Sequence, residues 1–246
     1  MLGRRFTRGR GKKGNEGNGS STLPDSPTDR TLFETSYARR CKELMDLNKD
    51  LAALGAGSFL DLPRLAVIGS QSAGKSSLVE AVSGISVPRE SGTCTRCPME
   101  CSMSTSAKSW SCSISLQISD NADGTPLAAP QTISFVSDLT DKSHVGLWLI
   151  RTQAAILNRH LPYGDFKTKS EVELKKAPDP KSLPFSKNMV LIEVKDPDST
   201  DLSFIDLPGL IQNSALNDIA LIQNLVESHI EGENTLILAT IPMTGE

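Results

Sequence analysis

Gly69 and Gly74 bracket four residues, and Lys75 and Ser76 follow at once in "GSQSAGKSS" (69–77). That spacing fits G-x-x-x-x-G-K-[ST], a loop whose inward-pointing backbone N–H groups cradle nucleotide phosphates. Anion binding there draws on three things: free N–H groups, the positive end of the helix that follows, and an ammonium group. Lys75 would reach the β- and γ-phosphates, and the Ser76 hydroxyl would ligate Mg²⁺. The bland alternative is a surface loop that happens to carry glycines. A second stretch, "FIDLPG" (204–209), places Asp206 at the end of an apolar run and Gly209 three residues on. An acid at such a strand tip holds Mg²⁺ beside a phosphate, and a glycine there lets a backbone N–H approach the γ-phosphate. D-x-x-G alone reads as a structural turn; following the loop at 69–77 in the same chain it becomes informative.

The loop needs a strand before it and a helix after it. "RLAVIG" (64–69) is a short apolar run and reads as a buried strand, while "SSLVEAVSG" (76–84) has helical spacing at Leu78, Val79 and Val82, with Gly84 at its stop. Upstream, Tyr37, Cys41, Leu44, Leu47, Leu51 and Leu54 recur at three- and four-residue steps, predicting an amphipathic helix over 31–54 closed by Gly55. Downstream, "MECSMST" (99–105) and "SWSCSISLQIS" (109–119) predict strands, "NADGTP" (121–126) a turn, and "DLTDKSHVGLWLIRTQAAILNRH" (138–160) a helix starting near Thr140. The polar, Pro-dotted 164–186 reads as loop, and "NMVLIEV" (188–194) and "DLSFID" (201–206) as a hairpin candidate. A helix over 214–230 capped by Asn213 or Ser214 and a buried strand over 234–243 complete the pattern. Alternating strands and helices predict an α/β fold with a largely parallel sheet.

At 246 residues, 38% hydrophobic and 22% charged, the composition is that of a globular chain. The net charge of -3 gives no pull toward nucleic acid, and 4% aromatic content leaves no stacking platform for single strands. Residues 1–30 carry seven of the basic residues against three acids and are rich in Gly, Ser and Pro, which predicts a disordered basic tail. No apolar run reaches the roughly 18 residues of a membrane-spanning helix. Five cysteines, an odd number, predict free thiols in a reducing, intracellular compartment. Cys94, Cys97, Cys101 and Cys112 raise a zinc site, but their spacing is not a common zinc pattern. His144, His160 and His229 are read as surface or cap residues, Trp110 and Trp148 as core or interface.

Taken together, "LPRLAVIGSQSAGKSSLVEAVSG", "VPRESGTCTRCP", "FIDLPG" and "LILATIPM" resemble the dynamin superfamily of large GTPases, nearest to its Mx-like and fungal dynamin-like members. The likeness covers about 31–246. It implies a P-loop NTPase three-layer sandwich with a mostly parallel sheet, incomplete at its C-terminal edge, plus an N-terminal helix. The implied organisation is a tail at 1–30, a bundle-signalling-like helix at 31–55 and a GTPase domain at 61–246, truncated at its C-terminal side. The implied phosphate loop comprises Gly69, Ser70, Gln71, Ser72, Ala73, Gly74, Lys75, Ser76 and Ser77. By the same likeness Thr95 in "TRCP" matches a switch threonine that ligates Mg²⁺ and helps place the attacking water, and Gln71 matches a glutamine that aligns that water. Ser72 matches a serine that holds a monovalent cation, and Asp206 and Gly209 match the second switch. Ser76, Thr95 and Asp206 are thus the implied metal ligands. Glu90 stands where the family usually has glycine in the cation loop, and Thr93 and Cys94 replace a common apolar pair.

The implied activity is GTP hydrolysis with Mg²⁺, with self-association through the GTPase domain and work on membranes, the cytoskeleton or large particles, in the cytoplasm or at a membrane, with no specific nucleic acid. The family reads guanine through a T-K-x-D motif on a later strand that these 246 residues do not contain, so guanine preference comes from the likeness alone. Two alternatives stay open: a truncated, catalytically idle nucleotide-binding or interaction fragment, and a P-loop ATPase of another kind.

Overall fold

A computed structural model describes residues 36–53, 64–87, 95–121, 123–176, 179–211 and 216–242. The chain divides into two units, residues 1–39 and 40–246. Of the first, only the opening turn of helix α1 (Ser36–Ala53) is described. The expected tail at 1–30, Gly55, the cation-loop positions Glu90, Thr93 and Cys94, and the caps Asn213 and Ser214 lie outside the described residues.

Among the described residues seven strands form one sheet: β1 (Arg64–Gly69), β2 (Met99–Ser104), β3 (Ser111–Asp120), β4 (Pro126–Leu139), β5 (Met189–Lys195), β6 (Leu202–Asp206) and β7 (Thr235–Thr240), in the order β4-β3-β5-β2-β6-β1-β7. The sheet is mixed. β1 runs parallel to β6 and β7, and β2 to β5, whereas β2–β6, β3–β5 and β3–β4 are antiparallel. The parallel triple β6-β1-β7 carries the phosphate loop.

Alternating side chains divide between two faces. On one, Val67, Met99, Cys101, Ile114 and Phe204 join Val79 of α2 (Lys75–Ser83) and Leu149 and Ile156 of α3 (Val145–Leu157) in the larger core. On the other, Ala66 and Ile205 meet Ile222 and Val226 of α5 (Leu216–Ile230). Two helical layers over one sheet make the α/β three-layer sandwich that the sequence implied. Fully buried side chains such as Ile114, Leu116, Leu149 and Ile156 each stabilise it by about 1.5–3 kcal/mol.

Several expectations are corrected. The strands at 188–194 and 201–206 do not pair as a hairpin: β2 lies between them, with Glu100 opposite Leu191 on one side and Ile205 on the other. The "DPDST" link therefore crosses two strand spacings, about 9–10 Å, and Asp196 closes it by accepting from the Lys142 ammonium at 2.9 Å and from the Asp198 N–H at 3.1 Å. Residues 127–137, most of β4, lay unread in the sequence, with its ends read as a turn and as the start of a helical stretch. Among the described residues it pairs only with β3, through register shifts, and its side chains are mostly exposed, so no apolar alternation marks it. Its Pro126 and Pro130 are tolerated because one long side of an edge strand donates to nothing.

The helix expected from Thr140 begins at Val145, after a 3₁₀ turn (Lys142–His144) capped by Asp141, whose side chain accepts from the Ser143 N–H at 2.8 Å. The expected loop at 164–186 contains a one-turn helix, α4 (Glu171–Leu174), held by a reciprocal cap between Ser170 and Glu173. The expected buried strand at 234–243 is β7, an edge strand with Leu236 and Ile237 largely exposed. In α1, Cys41 and Leu51 are half-buried while Leu44 and Leu47 are exposed. Lys42 pins the helix by donating to Thr105 Oγ1 at 2.7 Å and pairing with Asp201.

Cys97, Cys101 and Cys112 are buried thiols, each pushed up to about 12 by burial, and no metal-binding cluster occurs among the described residues. His160 faces Asp179 at 3.4 Å, His144 is exposed beside Asp141, and His229 bonds to the Leu225 carbonyl at the end of α5. Trp148 packs edge-on against Phe135, with centroids 6.0 Å apart.

One buried polar residue bolts the far end of the sheet. Asn188 is fully buried, and its Oδ1 accepts from the N–H groups of Ser119 and Asp120 at 2.9 and 3.0 Å. Asn188→Ala strands both donors and is expected to lower unfolding free energy by about 2–3 kcal/mol, measured by urea denaturation. An unchanged midpoint would contradict this.

Candidate phosphate site

The loop at 69–77 is shaped by backbone geometry that its sequence dictates. β1 enters with Ala66 and Val67 fully buried. The turn then passes through left-handed conformations at Ser72 (φ 64°) and Gly74 (φ 94°). For glycine this costs little, whereas for a serine it stores strain of the kind that gathers at functional loops. Gly74 is the N-cap of α2 and makes no side-chain cap bond. The first turn of α2 therefore points its N–H groups at the loop's concave side, as an anion site requires. Gly69 has no room for a side chain, because a Cβ there would lie 2.3 Å from Thr240 Oγ1 and 2.8 Å from its carbonyl.

Lys75, at the start of α2, is buried, and its ammonium donates to the Gly69 and Ser70 carbonyls at 3.1 and 3.0 Å. The segment after β6 folds directly onto it. Leu210 N–H donates to the Gly69 carbonyl at 3.1 Å, and Gln71 N–H donates to the Leu210 carbonyl at 3.2 Å, so Ser70 and Leu210 form a parallel bridge. Gly209 fits beneath: a Cβ there would lie 3.0 Å from Lys75 Nζ and 3.1 Å from Gln71 Cα. A side chain at 209 would have to push back the Lys75 ammonium or the Gln71 backbone.

Asp206 ends β6 next to this group and is 1% exposed. Its Oδ2 accepts from Thr95 Oγ1 at 3.1 Å, a buried contact across 111 residues. Its Oδ1 is buried without a hydrogen-bond partner. Burial raises the carboxyl from 3.8 to about 6, against the opposing pull of the Lys75 charge and the Thr95 hydrogen bond. A buried carboxylate oxygen with no partner is costly and points to a missing ligand. With the Thr95 and Ser76 hydroxyls, the donor set is all hard oxygen, the type that Mg²⁺ takes.

The structure thus brings Lys75, Thr95, Asp206 and Gly209 together around one loop. Ser76 is half-buried on the first turn of α2, and Ala73 is buried beneath the loop. Gln71, Ser72 and Ser77 present exposed side chains. Ser70 contributes its carbonyl, which also accepts from Ala73 N–H at 3.2 Å. Sequence reasoning missed Leu210, whose backbone ties the loop to the β6 segment, and Gln153, whose side chain holds the residue after Thr95. Neither carries a sequence signal, because both act on a distant backbone.

Residues 65–244 match the family model for the Dynamin family. The chain belongs to the dynamin family. Among curated relatives of this dynamin-family chain, the interferon-induced GTP-binding protein Mx2 of Macaca mulatta is 29% identical over 229 residues, covering 91% of this chain and 27% of that protein. MxC of Danio rerio is 30% identical over 210 residues, covering 84% of this chain and 28% of the relative. The dynamin-family chain therefore spans little more than a quarter of the length of these relatives. Among solved structures, a chain of an oligomerised bacterial dynamin pair aligns over 86% of this chain and 33% of its own at 17% identity. Its TM-score of 0.28 is too low for that superposition to carry weight.

Proposed function

We propose that this dynamin-family chain binds GTP with Mg²⁺ and hydrolyses the γ-phosphate, acting through a GTPase domain at 61–246. The observation that carries the reading is the buried Thr95–Asp206 hydrogen bond, set beside the Lys75 ammonium on a phosphate loop. Ser76, Thr95 and Asp206 would hold Mg²⁺, which when bound supplies positive charge to the β- and γ-phosphate oxygens. Lys75 adds its own charge there, and the N–H groups at the start of α2 supply fixed dipoles that need not reorganise as negative charge shifts. Phosphoryl transfer asks the protein mainly for positioning and charge, and a buried, braced lysine beside a strand-tip aspartate provides both.

In this reading Gln71 aligns the attacking water and Ser72 helps hold a monovalent cation. Both side chains are exposed at the rim of the loop, as suits groups enclosed when two GTPase domains meet. The preference for guanine agrees with the GTP-binding Mx relatives; the self-association and a role on membranes, cytoskeleton or large particles in the cytoplasm rest on the resemblance to the dynamin superfamily. No helix among the described residues is long and apolar enough to cross a membrane. One observation favours a rival, an idle interaction chain: the apolar edge strand β7 presents Leu236 and Ile237 to solvent.

Phosphate release measured with GTP and with ATP separates these readings. The expected result is Mg²⁺-dependent release with GTP preferred. Preference for ATP would contradict the guanine assignment, and no release above buffer would favour the rival. Thr95→Ala is expected to bind GTP within a few-fold of the wild type while hydrolysis falls by about 10²-fold. Normal turnover in that variant would remove Thr95 from the mechanism.

A further inference from the structure

We propose that Gln153 of α3 is a positioning residue for hydrolysis: it fixes the peptide plane between Thr95 and Arg96, and so aims Thr95 at the phosphate site. The proposal rests on the role given to Thr95 above.

The Arg96 N–H donates to Gln153 Oε1 at 2.9 Å, across 57 residues. On its other side, the Arg96 carbonyl accepts from Ser186 N–H at 3.0 Å. Both backbone polar groups of Arg96 are therefore tied to other parts of the fold before β2 begins. The chain next passes through fully buried Cys97, and the Pro98 carbonyl accepts from Val190 N–H at 2.9 Å.

A peptide unit is planar and, with no cis bonds among the described residues, trans. The Thr95 carbonyl therefore lies antiparallel to the Arg96 N–H. Holding that N–H on Gln153 sets the direction of the Thr95 carbonyl, away from α3, and restricts the Thr95 ψ angle. The Thr95 hydroxyl is pinned separately on Asp206 at 3.1 Å. Thr95 is thus held at two points, by its side chain to β6 and by its following peptide to α3.

The far anchor is rigid. Leu149, Ala155 and Ile156 of α3 are buried in the main core, and Ser186, 4% exposed, also accepts from Asn188 N–H at 3.1 Å. A threonine whose hydroxyl must meet a metal and whose backbone, as the likeness implies, helps place the attacking water needs such bracing, since a shift of about 1 Å in a reacting group costs on the order of 10²-fold in rate. Loosening one peptide is a smaller disturbance.

The test compares the full chain with Gln153→Leu, which keeps the shape and loses the acceptor, and Gln153→Glu, which keeps an acceptor oxygen. Steady-state GTP hydrolysis gives kcat and KM separately, and amide hydrogen exchange by NMR on the nucleotide-free chain reads the Arg96 N–H directly. Gln153→Leu is expected to lower kcat roughly tenfold, to leave KM within about twofold, and to speed Arg96 exchange at least about tenfold. Gln153→Glu is expected to recover most of both. Wild-type kcat in Gln153→Leu, a KM change as large as the kcat change, unaltered Arg96 exchange, or a glutamate variant no better than the leucine one would each overturn the proposal. An inactive wild type would instead be the failure of the GTPase reading, and the positioning role would fall with it.

Discussion

Lys75→Ala is expected to reduce phosphate release by at least about 10²–10³-fold at saturating GTP and Mg²⁺. Lys75 is the only buried lysine among the described residues, and its ammonium is held in place by two loop carbonyls and covered by Gly209. In so dry a setting a fixed positive charge acts far more strongly on developing negative charge than it would in water. The substitution also removes the cation that draws the Asp206 carboxyl downward. The aspartate would then hold its proton more tightly and compete less well for a metal. Two parts of the site fail from one change, so loss of turnover and weaker Mg²⁺ dependence should appear together. Phosphate release and fluorescent-nucleotide binding, measured side by side, read both. Turnover within threefold of the wild type would contradict the assignment.

Asp206→Asn is expected to abolish hydrolysis while making the nucleotide-free chain more stable at pH 7. The sign follows from burial. The folded carboxyl sits at about 6 and the ordinary value is 3.8, so between these values the folded state binds a proton that the unfolded state has released. The stability contributed is fully present below pH 4 and is lost as pH rises through 6. The rise corresponds to about 3 kcal/mol, as an upper figure. Asparagine keeps an oxygen for the Thr95 hydroxyl and carries no charge to desolvate. Urea denaturation at pH 4.5 and pH 7 should find the variant gaining on the wild type as pH rises. Added Mg²⁺ and a non-hydrolysable GTP analogue should reverse the order, because ligand binding stabilises only a chain that retains the site. Identical pH dependence in the two proteins would contradict the buried, uncompensated state of Asp206.

What the sequence disclosed and what it hid follow one physical division. The phosphate loop and the D-x-x-G turn were legible because their chemistry is local: glycines where the backbone must bend or approach closely, a lysine at the start of a helix, an aspartate at a strand tip. That Thr95 meets Asp206 across 111 residues was implied by likeness to dynamins and not by any local pattern. Pairing across the sheet was hidden for the same reason. A turn-like stretch between β5 and β6 reads as a hairpin, and only the whole fold reveals β2 between them. β4 escaped because a strand exposed on most of its length lacks the alternation that burial imposes. β7 misled in the opposite way, since an apolar run reads as buried whether or not its sides are covered. Gln153 had no signal at all: its role is to accept from one distant backbone N–H.

The most direct test of the account asks whether Lys75, Ser76, Thr95 and Asp206 converge on one nucleotide-bound cation. Mn²⁺ in place of Mg²⁺, followed by electron paramagnetic resonance with a non-hydrolysable GTP analogue, reads this on the wild-type chain and on Ser76→Ala and Asp206→Asn. One Mn²⁺ is expected to bind only when nucleotide is present, weakened at least about tenfold by each substitution. Mn²⁺ binding that needs no nucleotide, or that ignores both substitutions, would contradict it.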